Sequence, residues 1–300
     1  MTEVTAVVAS YRSAAFLPAC LESLAAQTRP PAEVVVVDGS SPDDSVAVAR
    51  RHGARVLERA NRGLGWLYNE GARASETELL LLANADVAFA PGCLEALAGA
   101  LAADPTLFAA DARQLDWAGG RTLHARTAIR RGPLLRTAIP GLVVDPAAPP
   151  HRGPPVPTAW ANAGAMLVRR ARLLDLGGFD ERFFLDFEDV DLCWRAWLRG
   201  WPSVHVPEAV VRHAVSGSTS PATLRRRLVS SHANLCRLAL KCFPPAAAAR
   251  VVLAEVLRLA RAPALVAPAL GRVLVELPGL LRERRALRPS RELFDRLTAP

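Results

Sequence analysis

"EVVVVDGSS", Glu33–Ser41, sets four valines in a row and then breaks at Asp38-Gly39-Ser40-Ser41. An unbroken β-branched run is a strand buried on both faces, because a strand with one wet face alternates apolar with polar residues. The same reading extends outward to "VTAVVAS" (Val4–Ser10), to Leu79–Ala83 and to Ala165–Val168. Phe16–Gln27 carries apolar residues at helical spacing, and "DDSVAVARRHGARVLER" reads as an Asp-capped helix, a glycine stop and a further strand. Buried strands alternating with helices predict an α/β fold: a mostly parallel sheet flanked by helices, opening with a βαβαβ half. Ligands in such sheets bind beyond the carboxyl ends of the strands. Ser10, Asp38, Asn84 and Asp86 stand at or just after such ends.

Further along, Pro133–Pro157 holds eight prolines with little periodicity, which predicts a long irregular loop. Gly177–Asp191, "GGFDERFFLDFEDVD", then interleaves six carboxylates with four phenylalanines. Rings seek burial and carboxylates resist it, so this segment predicts buried rings with acids at the rim of a site. Its plainer reading is a solvated loop whose Glu188, Asp189 and Asp191 are first-turn acids of a following amphipathic helix that stops at Gly200. Asp191 and Arg195 are spaced i, i+4 as an ion pair would be. "PSVHVPEAVVRH" reads as a strand ending at His213, followed by a small-residue loop.

Composition narrows the class. Five cysteines without a C-x-x-C pair predict a reduced, cytoplasmic protein lacking a structural zinc site, and "MTEVTAVVASYR" has no signal-peptide pattern. The net charge of +8 is uneven: residues 225–300 hold fifteen Lys/Arg against five Asp/Glu, whereas residues 1–224 are slightly acidic. The division expected is a body over residues 1–220 and a basic helical C-terminal extension over 221–300. In that extension Arg250, Glu255, Arg258 and Arg261 share one helical arc, and Val252, Leu253, Val256, Leu257 and Leu259 the other. The longest charge-free run, Ala262–Gly271, is too short to span a bilayer. Two placements remain: helices lying in the membrane interface, arginines at the headgroups, or helices packed on the body. With only Phe243 and Phe294 for stacking, the tail does not fit nucleic acid.

Several motifs, in order, carry a resemblance. "VVASYRSAAFLPACLESLAAQTRPPAEVVVVDGSSPDDS", "NRGLGWLYNEGARAS", "LLLLANADV" and "GAMLVRRARLLDLGGFDERFFLDFEDVDLCWRAWLRGWPSVHVPEAVVRH" resemble family-2 glycosyltransferases of the GT-A fold, closest to bacterial rhamnosyltransferase-like members. The resemblance covers about Val4–His213 and implies an inverting transfer of sugar from a nucleotide donor. It places Asn84-Ala85-Asp86 at the family's D-x-D motif, with Asn replacing the first Asp. Asp86 is then the main ligand of a Mg²⁺ or Mn²⁺ ion that offsets diphosphate charge, and His213 is either a second ligand or an ordinary polar strand end. Ser10, Asp38, Arg62, Gly63, Gly65, Asn69 and Asn84 fall on the donor side, Gly63 and Gly65 letting backbone approach the nucleotide. Each also has a simpler reading, a D-G turn for Asp38 and an exposed cation for Arg62. On the acceptor side the resemblance assigns the base to Asp189, with Glu188 beside it and Trp160 and Asn162 as acceptor contacts.

The function expected is therefore metal-dependent glycosyl transfer from a dTDP- or UDP-sugar, rhamnose among the candidates, to a lipid-linked or cell-surface polysaccharide acceptor. The enzyme would work as a peripheral protein at the inner face of the cell membrane, held by its C-terminal helices. A non-catalytic nucleotide-sugar-binding subunit is the alternative, supported by Asn84 alone.

Overall fold

The computed structural model describes residues 2–130, 142–144, 153–215 and 221–299. β1 (Val4–Ser10), α1 (Leu17–Ala25), β2 (Glu33–Asp38), α2 (Ser45–Arg51), β3 (Arg55–Glu58), α3 (Leu64–Ala74) and β4 (Leu79–Asn84) follow one another, and their strands pair in parallel in the order β4-β1-β2-β3. Val7, Val35, Val37, Leu80 and Leu82 enter one apolar cluster beneath α3. Ala6, Val8, Val36 and Leu81 enter a second on the opposite face, with Leu17, Leu21 and Val48 of α1 and α2. Both faces are dry, which is why the runs are unbroken. Asp43, rather than the N-cap residue Asp44, accepts the Ser45 N–H at the start of α2.

The chain continues through β5 (Val87–Phe89), α4 (Cys93–Ala103), β6 (Ala109–Asp116), β7 (Thr122–His124), β8 (Thr127–Arg130), β9 (Leu142–Val144), β10 (Val156–Thr158) and β11 (Ala165–Arg169), then α5 (Arg170–Asp175), α6 (Glu188–Leu198) and β12 (Ser203–His213). The large sheet runs β10-β12-β6-β11-β4-β1-β2-β3. β11 enters antiparallel between β4 and β6, so the sheet is mixed. β5 pairs antiparallel with the end of β12, setting Val87 opposite His213 and bringing Asp86 beside that histidine. The proline-rich stretch lies largely outside the described residues, though β9 and β10 occupy parts of it. α6 is amphipathic in sequence as read, yet every residue from Glu188 to Trp197 is buried, so its polar face also turns into the protein.

The remainder is α7 (Pro221–Cys242), α8 (Pro245–Arg258), α9 (Pro263–Leu287), α10 (Arg291–Arg296) and β13 (Thr298–Ala299), the last pairing in parallel with β8 in a small sheet shared with β9. α7 packs on α6: Leu235, Leu238, Cys242 and Phe243 join the cluster that holds Leu192 and Trp194. The Trp194 and Phe243 rings are 5.1 Å apart.

α8 keeps Leu253, Val256 and Leu257 of its apolar arc about half exposed, but turns Glu255 of its charged arc inward. Glu255 is fully buried, bonded to His232 of α7 and to Arg258, whereas Arg250 and Arg261 of the same arc stay exposed. A buried carboxylate bonded on both sides fixes that orientation. α9 also differs. It is long and apolar enough, by length and composition, to cross a bilayer, a property the charge-free-run test passed over. It nevertheless packs along α7 through Val266, Ala269, Val273 and Leu280, and its Glu276 is held by Arg237 of α7 at 2.6 Å.

Candidate active site

The carboxyl ends of β1, β2 and β4 gather the donor-side residues. Ser10 and Asp38 are register partners, and Ser10 Oγ donates to Asp38 Oδ2 at 3.0 Å. The Ser41 N–H and Oγ also donate to Asp38, each at 2.7 Å, so this buried carboxylate organises the loops after both strands. Asn84 ends β4, and Tyr68 Oη lies 2.8 Å from its Oδ1 and from the Ala163 carbonyl. One tyrosine proton serves these two acceptors, so Asn84 keeps both its amide nitrogen and acceptor capacity on Oδ1. Arg62 is exposed, its guanidinium over the Trp66 ring.

Three donor-side assignments turn out to hold the acidic loop in place. Asn69 is buried and clamps Phe179, accepting its N–H at 2.8 Å and donating to its carbonyl at 2.9 Å. A Cβ on Gly65 would lie 2.8 Å from Phe179 Cβ. One on Gly63, whose φ is +119°, would lie 2.5 Å from the Phe184 carbonyl oxygen. The close approach these glycines permit here is to the loop. Such contacts link residues more than a hundred positions apart, so no local pattern announces them.

Asp86 and His213 meet as expected, with His213 Nε2 3.2 Å from Asp86 Oδ1. His213 Nδ1–H donates to Gln114 Oε1 at 2.8 Å, and Gln114 Nε2 donates to Asn162 Oδ1 at 2.8 Å. With Nδ1–H given to Gln114, Nε2 faces the Asp86 carboxylate, a contact that a proton on that nitrogen or a cation between the two would satisfy. The donor set, one carboxylate and one imidazole, fits a divalent ion whose remaining positions belong to substrate phosphate and water. Among the described residues no cluster of three or more such side chains exists, so the protein alone does not complete a coordination shell.

Glu188 and Asp189 open α6. The two residues before them, Asp186 and Phe187, both have left-handed backbone (φ 69° and 72°), strain of the kind that collects at functional sites. Asp186 is fixed by Arg227 at 2.8 Å and by Ser231, and Asn234 donates to the Leu185 and Asp186 carbonyls. Phe179, Phe183 and Phe187 are buried, as the ring pattern predicted. Asp191 is buried too, accepting from Arg195 at 2.8 Å and paired with Lys241 at 2.8 Å.

Burial is the largest influence on both carboxyls. It raises Asp189 to about 6, with the His124 charge and the Val190 and Ala163 amides pulling the other way. It raises Glu188 well above the ordinary range, reinforced by the Asp189 charge, and Glu188 Oε2 has no hydrogen-bond partner among the described residues. Burial thus disfavours charge at both carboxyls, and the Asp189 charge further disfavours a second one on Glu188.

Both acids line a cavity of about 540 Å³ with Trp160, Asn162 and His124, closed on its other side by Leu224, Arg227, Leu228 and Leu235 of α7. The three acceptor-side residues of the sequence reading thus come together around Asp189. Missed by that reading was a buried triad: Asp111 Oδ2 lies 2.9 Å from His124 Nε2 and 3.0 Å from His205 Nδ1, and the Asn162 N–H donates to Asp111 Oδ1. The available signal was a titratable residue flanked on both sides by apolar ones, Asp111 between Ala110 and Ala112 in β6 and His205 between Val204 and Val206 in β12.

A sequence model of Glycosyl transferase family 2 matches residues 5–143. An N-acetylglucosaminyl-diphospho-decaprenol L-rhamnosyltransferase of Mycobacterium tuberculosis is 33% identical over 241 residues, 73% of this chain and 78% of that protein. The chain belongs to glycosyltransferase family 2. It is a glycosyltransferase related to rhamnosyltransferases. An uncharacterized glycosyltransferase of Mycobacterium bovis is 31% identical over 225 residues, 72% of this chain and 90% of that one. Among solved structures, GalNAc-T7 with UDP, GalNAc and Mn²⁺ matches with a TM-score of 0.71 at 15% identity, covering 99% of this chain but only 56% of its own. A mannosyltransferase of Pyrobaculum calidifontis with GDP-Man and Mn²⁺ matches with a TM-score of 0.53 at 20% identity, covering 95% and 85%. These structural likenesses establish the GT-A fold.

Proposed function

We propose that this glycosyltransferase transfers a sugar, with inversion, from a nucleotide-sugar to a lipid-linked acceptor at the cytoplasmic face of a membrane. Rhamnose from dTDP-rhamnose is the first donor to test, and UDP-sugars follow. The observation that carries the reading is the buried Glu188–Asp189 pair in one cavity, linked through Ala163, Asn162 and Gln114 to the His213–Asp86 corner. Asp189 removes the proton of the acceptor hydroxyl as its oxygen attacks the anomeric carbon. The bond from that carbon to the diphosphate oxygen breaks, and the nucleoside diphosphate leaves on the opposite side. Glu188 hydrogen-bonds the acceptor, and Trp160 packs against it.

Asp86 with His213 holds Mg²⁺ or Mn²⁺, which supplies Lewis-acid neutralisation of the diphosphate. Ser10, Asp38, Asn84 and Arg62 flank the donor. The outward apolar arc of α8 (Leu253, Val256, Leu257), with Leu274 and Val275 of α9, gives the membrane contact. The Glu276–Arg237 pair and the α7 packing keep α9 on the protein, so the contact is peripheral.

The test is incubation of purified enzyme with dTDP-rhamnose or UDP-sugars and a polyprenyl-diphospho-N-acetylglucosamine, following product by chromatography. Turnover is expected and should fall by a factor of about 10³ or more in Asp189→Asn. Undiminished turnover in that variant overturns the assignment of the base.

A further inference from the structure

One member of the Asp111 triad reaches the cavity around Asp189. Asp111, His124 and His205 are 0%, 6% and 4% exposed, and of the three only His124 lines that cavity. Its Nε2 is committed to Asp111 Oδ2 at 2.9 Å, and among the described residues its Nδ1 has no hydrogen-bond partner. The Asn162 N–H serves Asp111 Oδ1, and His205 Nδ1 serves Oδ2 at 3.0 Å. Both carboxylate oxygens are thus satisfied without His124, so the ring's place in the cavity wall is to be explained by what the cavity holds.

The ring is not free to swing. Asp111 grips Nε2, and is itself fixed to β12 by its register partner His205 and to the turn after Trp160 by Asn162. A side chain locked in this way presents Nδ1 at one point, as recognition of one hydroxyl among several requires. That point is near the base, because after burial the His124 charge is the largest influence on the Asp189 carboxyl. Glu188 Oε2 is a second polar atom of the same cavity without a partner among the described residues. Leaving such atoms unpaired is costly, and a polyhydroxylated ring pairs them. Asp189, Glu188 and His124 therefore offer three polar points to one ligand. Two points leave a sugar free to turn about the line that joins them, whereas three fix which hydroxyl faces the base.

We infer that His124 Nδ1 hydrogen-bonds a non-reacting hydroxyl of the acceptor sugar and thereby selects the hydroxyl that reaches Asp189, which makes His124 a determinant of linkage. The inference rests on the glycosyl-transfer reading above and adds a residue and a role that reading does not contain. No covalent bond to His124 forms or breaks. With Nε2–H given to Asp111, a neutral ring accepts the hydroxyl proton at Nδ1, and a protonated ring donates to the hydroxyl oxygen from the same atom.

The test is the linkage of the product, read by NMR in the transfer assay above. A glutamine amide reaches the position of Nε2 and an asparagine amide that of Nδ1, so two substitutions separate the ring's two bonds. His124→Gln keeps a partner for Asp111 and loses the atom at Nδ1. It should raise the acceptor KM about tenfold or more, leave the donor KM within about twofold, and give mixed linkages where wild type gives one. His124→Asn retains a polar atom near Nδ1 and should retain the single linkage. An unchanged melting-temperature rise with UDP and Mn²⁺ verifies that both variants are folded. A single linkage with an unchanged acceptor KM in His124→Gln overturns the inference. So does mixed linkage in His124→Asn alone, which places the effect at Asp111. Ring-nitrogen NMR separates this inference from the reading it rests on. Octyl N-acetyl-β-glucosaminide, added with UDP and Mn²⁺ present, should shift the His124 Nδ1 signal, identified by its absence in His124→Gln. That shift with no transfer from any donor refutes the glycosyl-transfer reading alone. Transfer without the shift refutes the His124 contact alone.

Discussion

Lys241→Met tests whether the C-terminal helices hold the acidic loop. Lys241 Nζ sits 2.6 Å from Asp180 and 2.8 Å from Asp191, with its side chain only 2% exposed. Methionine keeps the length of the stem, so little volume is lost and the change is electrostatic. Removing one partner from a buried ion network costs about 3–5 kcal/mol. Here Asp191 retains Arg195 and Asp180 retains Arg182, which puts the expected loss at the lower end, about 3 kcal/mol, or roughly 6 °C in Tm.

The pH dependence has a definite sign. Burial pushes the Asp180 carboxyl up, but Arg182 and Lys241 more than reverse this and hold it well below the usual range. A depressed carboxylate contributes stability that is present above about pH 4 and lost as pH falls below it. The variant should therefore lose most at pH 7 and approach wild type in acid. Thermal denaturation followed by circular dichroism at pH 7 and about pH 2, well below the unfolded carboxylate value, reads both effects, with Arg291→Ala, at an exposed pair, as the unchanged control. A loss under 0.5 kcal/mol at pH 7 would refute the view that α7 supports the loop.

Two further outcomes follow from the site. Because Asp189 titrates near 6, kcat/KM should fall as pH drops through about 6, and His124→Asn, which removes a neighbouring cation, should move that limb to higher pH; an unmoved limb means His124 does not act on Asp189. Mn²⁺ should raise the melting temperature of the enzyme with UDP, and Asp86→Ala should abolish that increment; a retained increment places the ion elsewhere.

The parallel half of the sheet was legible because each strand is buried on both faces, and that leaves a mark in a single short run. β11 was legible as a strand but not as an antiparallel one, since direction is set by connection and partner, not by side-chain pattern. The Glu188–Asp189 pair could be singled out from its motif, whereas the upward shift of both carboxyls depends on burial by Trp160, Val190 and α7, which the motif does not contain. Asn69, Gly63 and Gly65 were legible as special positions, but their partner loop lies over a hundred residues away. On α8 the helical wheel grouped Glu255 with the exposed Arg250 and Arg261 because it assumes that charge faces water, and Glu255 instead faces His232 and Arg258.

α7 grips residues 180–186 through Lys241, Arg227 and Asn234, and the same helix lines the cavity around Asp189. The boundary suggested by composition, near residue 220, is therefore a poor place to join halves of two relatives. A chimera cut there would pair one enzyme's loop with another's helix and orphan a buried lysine or a buried aspartate. A junction before Gly177 carries the loop, the helix and the cavity wall it forms across as one piece, and no smaller piece should exchange acceptor preference.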